Sequence, residues 1–390
     1  VIPEFELRDR HCYMDNAATT VIDQSVVEAM VPYLEERYGN PETVYDIGLE
    51  ASGAVEKARA QIAEVLGCRS DRLFFTSGGT EANNWAIKGF VMPEGKSCIA
   101  VGQVEHSSVL EPVRSLARRF PDNYTYSLID VDSFGRVEMV QLESEIANGD
   151  VGLVSIQFGN NEVGTLQPVR EIARLCHDNG VFFHCDACQA FGKLPFDVEE
   201  YDFDFLSVSA HKIHGPMGVG ALYVKEGVSL EPLLDGGGQE AGMRSGTLPV
   251  ASIVGFGVAA EMTLHDAKAM GRVSRFVDSI AASLESSCGA TRNGDPKNRL
   301  PHILSMTFPE LPGASLVGVL AKKGVCVSMG SACRTRKRKS HVLEAMGIGY
   351  KENNRTIRIS PSRYTDDVDT VLLIQAIQQA RKNPEMLEYL

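Results

Sequence analysis

The sequence predicts an α/β protein: a large domain built on a mostly parallel, doubly wound sheet, with a smaller α+β domain behind it. Three observations carry that reading. Short runs rich in Val, Ile, Leu and Phe recur at 72–76, 97–101, 124–129, 151–157, 181–185, 204–208 and 219–224, with helical patterns between several of them, notably 169–179. Five of these runs end in Gly, polar or ionisable residues, at the strand ends where ligands bind in such sheets. Beyond them the pattern changes to strands at 303–308, 325–328 and 355–360, with helices at 314–323 and about 365–382. The expected partition is 1–20 as an N-terminal segment packing with the small domain, 21–262 as the large domain and 263–390 as the small one.

In chain order, Met14-Asp15-Asn16-Ala17-Ala18-Thr19-Thr20 is rich in turn and capping residues and leads into a helix over about 23–38 that stops at Gly39. Pro32 should kink that helix. After a loop at 39–43, the apolar stripe Ala51, Ala54, Val55, Ala58, Ile62, Val65 and Leu66 marks a second helix, ended by Gly67. The strand at 72–76 feeds Ser77-Gly78-Gly79-Thr80-Glu81 and a helix over 82–90. Free backbone N–H groups, the helix dipole and the Thr80 hydroxyl converge there, which suits an anion, although a plain strand-to-helix turn would look the same.

The other strand ends carry Glu105-His106, Asn160-Asn161-Glu162, His184-Cys185-Asp186-Ala187-Cys188-Gln189 and Ser209-Ala210-His211-Lys212. Lys212 stands just past the buried run Asp204-Phe205-Leu206-Ser207-Val208, where desolvation turns an amine into a nucleophile for a carbonyl. Singly these residues have ordinary explanations: a surface lysine, a capping or core histidine at 106, a turn-forming Asn161, a helix-capping Asp186. Together they bring an anion cradle, a flat ring, a carboxylate, amides and an amine to one rim, the set that pyridoxal phosphate requires. In the second domain, Gly330-Ser331-Ala332-Cys333 runs into Arg334-Thr335-Arg336-Lys337-Arg338-Lys339. Five cations behind Cys333 favour its thiolate, and they mark a solvated loop or a landing site for an anionic partner.

Composition narrows the classes. A formal charge of −13 argues against a protein that coats nucleic acid. No apolar run has the length of a membrane span, and Val1-Ile2-Pro3-Glu4 shows no secretion signal. Nine scattered cysteines in such a chain predict a reducing, cytoplasmic setting, with most thiols packed as small hydrophobes.

These motifs, in this order, resemble the NifS/IscS-like cysteine desulfurases, pyridoxal phosphate enzymes of the class V aminotransferase group with fold type I architecture. The resemblance extends over Gly39-Asn40-Pro41, Thr76 to Asn84, Val104-Glu105-His106, Asn160 to Gly164, Arg244-Ser245-Gly246-Thr247 and Arg358-Ile359-Ser360 as well as the strand ends above. It implies Lys212 as the Schiff-base lysine, Asp186 as partner of the pyridine nitrogen and His106 as the stacking ring. It implies Gln189 and Asn161 at the phenolic oxygen and Gly79, Thr80, Ser209 and His211 at the phosphate. Thr247 would reach the phosphate of a neighbouring subunit in a homodimer. Arg358, assisted by Asn40, would grip the carboxylate of L-cysteine. Lys212 would move the Cα proton, and Cys333 would attack the substrate sulfur, keep it as a persulfide and pass it to an acceptor protein docking near Cys333 and 334–339, for iron–sulfur cluster assembly or thiolation.

The chain also departs from the family. Pro41-Glu42-Thr43-Val44-Tyr45 lacks the histidine usual after Gly-Asn, and the stretch after Cys333 is basic and one residue short. Cys185 and Cys188 read as packing residues rather than a redox or metal pair, and no metal is expected. The rival readings are a selenocysteine lyase or other class V enzyme, and a non-catalytic protein that keeps the fold and binds an anionic partner through Arg334 to Lys339. Nucleic acid enters only through the acceptor pathway.

Overall fold

The described residues, 11–330 and 339–382 of a computed structural model, hold twelve strands. They are β1 Cys12–Tyr13, β2 Leu73–Thr76, β3 Cys98–Gly102, β4 Thr125–Ile129, β5 Val151–Ser155, β6 Phe182–Asp186, β7 Phe205–Ser209, β8 Gly220–Val224, β9 Thr291–Asn293, β10 Leu304–Thr307, β11 Val325–Cys326 and β12 Thr356–Ile359. Seven of them form one sheet in the order β2-β8-β7-β6-β5-β3-β4. The five from β7 to β4 are parallel, and β8 runs against both β7 and β2.

The continuous apolar runs follow from burial on both faces. In β7, Phe205 joins a core with Trp85, Ile99, Val101 and Leu222, while Leu206 and Val208 face the opposite core with Phe75, Val154 and Phe183. The connection from β3 goes to β4 on one side, whereas β5 lies on the other side of β3 and leads on to β6. The sheet therefore has its topological switch between β3 and β5, where a doubly wound fold opens a crevice beyond the carboxyl ends of its strands.

A third core gathers Val277, Leu284, Met306, Phe308, Leu316, Ile357 and Leu373 around the antiparallel sheet β12-β10-β9. Cys12 and Met14 pack into this core, and β1 pairs in parallel with β11. Asp15 then bridges to Ser360, so the residues leading to Ala17 are tied to the end of β12.

Helix ends follow local chemistry. The second helix begins at Asp46 and ends at Leu66, where Gly67 adopts φ 69° and bonds back to the last turn; a side chain there would also strike Asp197. The first helix passes through Pro32 and stops at Glu35, short of the expected 38, because Glu36 and Arg37 both donate to the Pro32 carbonyl. Among the described residues no helix is long and apolar enough to cross a membrane.

Candidate active site

The strand ends meet as the sequence suggests. Gly78 has φ 145°, a backbone favoured by glycine, and the helix Gly79–Lys88 starts directly after it. A Cβ on Gly79 would lie 2.4 Å from the Cys188 sulfur and 3.8 Å from the Ser209 Cβ. The ends of β2, β6 and β7 are thus pressed together, and only glycine fits between them.

Lys212 lies one short turn beyond β7. Its Nζ donates to the carbonyls of Ala17 at 2.7 Å and Ala18 at 2.8 Å. Burial lowers its pKa to about 8, aided by the Arg358 charge and opposed by Cys188, Asp186 and Asp15. His106 is accessible to solvent, yet desolvation still lowers its pKa.

Asp186 closes β6, and both of its oxygens are held. Oδ1 accepts from the Cys188 N–H at 2.9 Å and Oδ2 from Asn83 Nδ2 at 2.7 Å. The same Asn83 amide donates to Ser108 Oγ at 2.8 Å, and Ser108 Oγ lies 2.7 Å from His106 Nδ1. With Ser108 N–H also donating to Nδ1, that nitrogen is an acceptor, and the neutral ring carries its proton on Nε2. His106 is therefore both the cap of helix Ser107–Arg119 and one end of a hydrogen-bonded chain to Asp186. Below the cleft, His184 bridges Ser155 and Ser207 at 2.7 and 3.0 Å, and burial holds its pKa down to about 4.

On the opposite wall, Arg358 from β12 donates through Nη1 to the Asn161 carbonyl at 2.7 Å and through Nη2 to Asp15 at 2.8 Å. Glu162 beside it is buried and accepts from Ser340 Oγ at 2.5 Å, while the backbone of Gly330 packs against the same carboxylate. Gly330 and Ser340, on the two sides of the Cys333 segment in sequence, thus both sit at Glu162. Cys333 itself, with 334–338 of the basic stretch, lies outside the described residues; Lys339 stacks its Nζ 4.5 Å over the Tyr350 ring.

Other expected residues are placed as follows. Gln189 is buried and donates to the Ala17 carbonyl at 2.9 Å. His211 Nδ1 lies 3.1 Å from Thr19 Oγ1, and burial lowers its pKa to about 4. Thr80 and Thr247 are exposed. Asn40 turns its carbonyl to Glu42 N–H in its own loop and makes no hydrogen bond with Arg358. Cys185 is fully buried and Cys188 partly so, both thiols are free, and no described group of side chains could hold a metal. Cys326 is partly exposed at the end of its short strand. Asn83, Asp15 and His302 have site contacts that no motif assigns.

An α/β fold that gathers a desolvated amine, a fixed carboxylate and an anion-ready helix start at the carboxyl ends of its strands is that of a pyridoxal phosphate enzyme. The class V aminotransferase family model matches residues 12–371, and the chain belongs to that family. It is 39% identical over 379 residues to cysteine desulfurase IscS of Methanosarcina thermophila, covering 95% of this chain and 93% of that one. A solved NifS-like protein superposes with a TM-score of 0.90 at 36% identity, over 96% of this chain and all of that one. SspA in complex with cysteine follows at 0.79 and 32%, over 91% and 99%.

The family uses pyridoxal phosphate, and the residues present fit it. Ser209 Oγ is buried at the Gly78-Gly79 turn without a hydrogen-bond partner among the described residues, as a phosphate ligand would be before binding. The adjacent helix start supplies free N–H groups, and Lys212 supplies an amine whose pKa is close to neutrality.

Proposed function

We propose that this chain is a pyridoxal phosphate-dependent cysteine desulfurase, which moves the sulfur of L-cysteine onto Cys333 and releases L-alanine. The observation that carries the reading is Lys212: a desolvated amine with a pKa of about 8, beside a fixed Asp186 and an unpartnered Ser209, in a chain 39% identical to a named cysteine desulfurase.

In this reading Gly79, Thr80, Ser209 and His211 hold the cofactor phosphate, with Thr247 from the neighbouring subunit of a homodimer. Asp186 would partner the pyridine nitrogen, His106 would stack on the ring, and Gln189 and Asn161 would hold the phenolic oxygen. The bound cofactor withdraws electrons from the substrate Cα, which loosens the bonds around it. Arg358 receives the substrate carboxylate, with Asn40 assisting, and the free amine of Lys212 takes the Cα proton. The Cys333 thiolate attacks the substrate sulfur; an S–S bond forms, the Cβ–S bond breaks, and its electron pair stays on carbon, which is protonated to the methyl group of alanine. One L-cysteine and one thiol thus give one alanine and one persulfide. An acceptor protein collects the sulfur near Cys333 and 334–339, in the cytoplasm. The partition into 21–262 and 263–390, with 1–20 on the smaller part, belongs to the same proposal.

The test is product release from L-cysteine by the purified protein with pyridoxal phosphate and a reductant. Alanine and sulfide are expected in equal amounts, with both lost in Cys333→Ala. A wild type that binds cofactor and yields neither product overturns the reading.

A further inference from the structure

His302 is almost completely buried just before β10, and nothing in the chemistry above uses it. Its Nε2 lies 3.3 Å from Gln189 Oε1. The direction of that contact follows from the other end of the same amide. Gln189 Nε2 is 2.9 Å from the Ala17 carbonyl oxygen, which can only accept, so the amide nitrogen must face Ala17 and the amide oxygen must face His302. An oxygen facing the ring requires a proton on Nε2. The ring is then neutral, with a bare Nδ1, and Nδ1 is the buried ring nitrogen without a partner. Burial, aided by the nearby charges of Lys193, Arg358 and Lys212, keeps the ring from taking up a second proton.

The Ala17 carbonyl accepts from Lys212 Nζ as well as from Gln189. One hydrogen of the Gln189 amide is therefore committed beside the reactive amine, and the second has no protein acceptor among the described residues. Without His302 the carboxamide could swing away from this pose at little cost. We propose that His302 is a positioning residue, whose Nε2–H locks the Gln189 carboxamide so that it presents an N–H, not a lone pair, to the phenolic oxygen of the cofactor. The inference rests on the reading of Gln189 given above and adds the element that fixes its polarity.

The experiment compares holoenzymes of wild type, His302→Met, His302→Gln and Gln189→Ala by the visible absorption of the bound cofactor as a function of pH. A donor to the phenolic oxygen stabilises its negative charge, so losing it raises the pH midpoint of the absorption change. In His302→Met the midpoint is expected to rise by about half a unit or more, and His302→Gln, which keeps a donor at similar reach, is expected to restore it. A purely packing role would lower the melting temperature of the cofactor-free protein and leave the midpoint alone. If Gln189→Ala moves the midpoint and a folded His302→Met does not, the His302 proposal is wrong and the Gln189 reading stands. If neither moves it, the Gln189 reading fails and takes this proposal with it. Should His302→Met not fold, nitrogen-15 spectra of labelled histidine read the wild-type ring directly, with His302→Gln assigning the signal: a proton on Nε2 is expected, and one on Nδ1 overturns the proposal.

Discussion

Arg358 and Asp15, 343 residues apart in sequence, are joined by a 2.8 Å ion pair at the wall of the cleft. The guanidinium is almost fully buried, and its other bonds run to the carbonyls of Asn161 and Gly330. Its fork is therefore held in place by one carboxylate and two backbone carbonyls. Asp15→Asn removes the charge and keeps the shape. The expected result is a rise in KM for L-cysteine of about tenfold, equivalent to about 1.4 kcal/mol, with kcat changed much less. Steady-state alanine release at varied L-cysteine measures it, and an unchanged KM would remove Asp15 from the substrate-binding machinery.

The chain from His106 through Ser108 and Asn83 to Asp186 makes a second prediction. Asn83 donates to both Ser108 and Asp186 from one amide nitrogen, so Asn83→Leu breaks the link and strips Asp186 of a charge-assisted hydrogen bond. Such a bond contributes roughly 1.5–3 kcal/mol, so cofactor affinity should fall by about 10- to 100-fold. Equilibrium titration of the cofactor-free protein with pyridoxal phosphate reads the loss. Asp186 retains the Cys188 N–H, and the fold should survive.

Much of this was legible before any coordinates. Strands such as β3 and β7 are buried on both faces and announce themselves as mostly apolar runs, and the residues that follow them name the site because this fold gathers ligands there. The antiparallel β8 was not foreseen, although the ten residues between Ser209 and Gly220 are too few for a crossover, which takes a dozen or more. What stayed hidden depends on distance along the chain. Asp15 reaching Arg358, Ser340 reaching Glu162 and His302 reaching Gln189 are pairings that no local spacing encodes, because each is set by how the smaller core docks on the strand ends. Asn40 is a local case by contrast: its side-chain oxygen accepts from Glu42 N–H within its own turn.

Burial lowers the Lys212 pKa from 10.5 to about 8, which predicts a pH dependence of cofactor uptake. The free base is about half of the total at pH 8 and levels off only about one to two pH units above it. The rate of reconstitution of the cofactor-free protein should follow that curve. Arg358 is the main cation opposing the lysine's charge, so Arg358→Met should shift the curve to higher pH. A wild-type rate still climbing steeply at pH 10 would show that Lys212 is not desolvated as described.

At the other end of the sheet, His177 joins Asp202 and Asp204 at 2.7 and 2.9 Å, and Asp204 also accepts from Phe183 N–H at 2.8 Å. The cluster clamps the starts of β6 and β7 far from the cleft. The hydrogen bond to Asp204 raises the His177 pKa above 6.5; burial and Lys225 oppose the rise, and the charges of Asp204 and Asp202 add to it. A raised folded-state pKa means that the native protein binds the proton more tightly than the unfolded chain. The stabilisation is complete below pH 6.5 and fades as pH climbs through the higher folded value. Melting temperature should accordingly fall across that interval in the wild type and stay flatter in His177→Gln, which keeps a polar side chain without the titration. Because the clamp is remote from Lys212, alanine release at pH 8 should be the same in both proteins, and a His177→Gln enzyme with altered turnover there would mean that the two ends of the sheet are coupled.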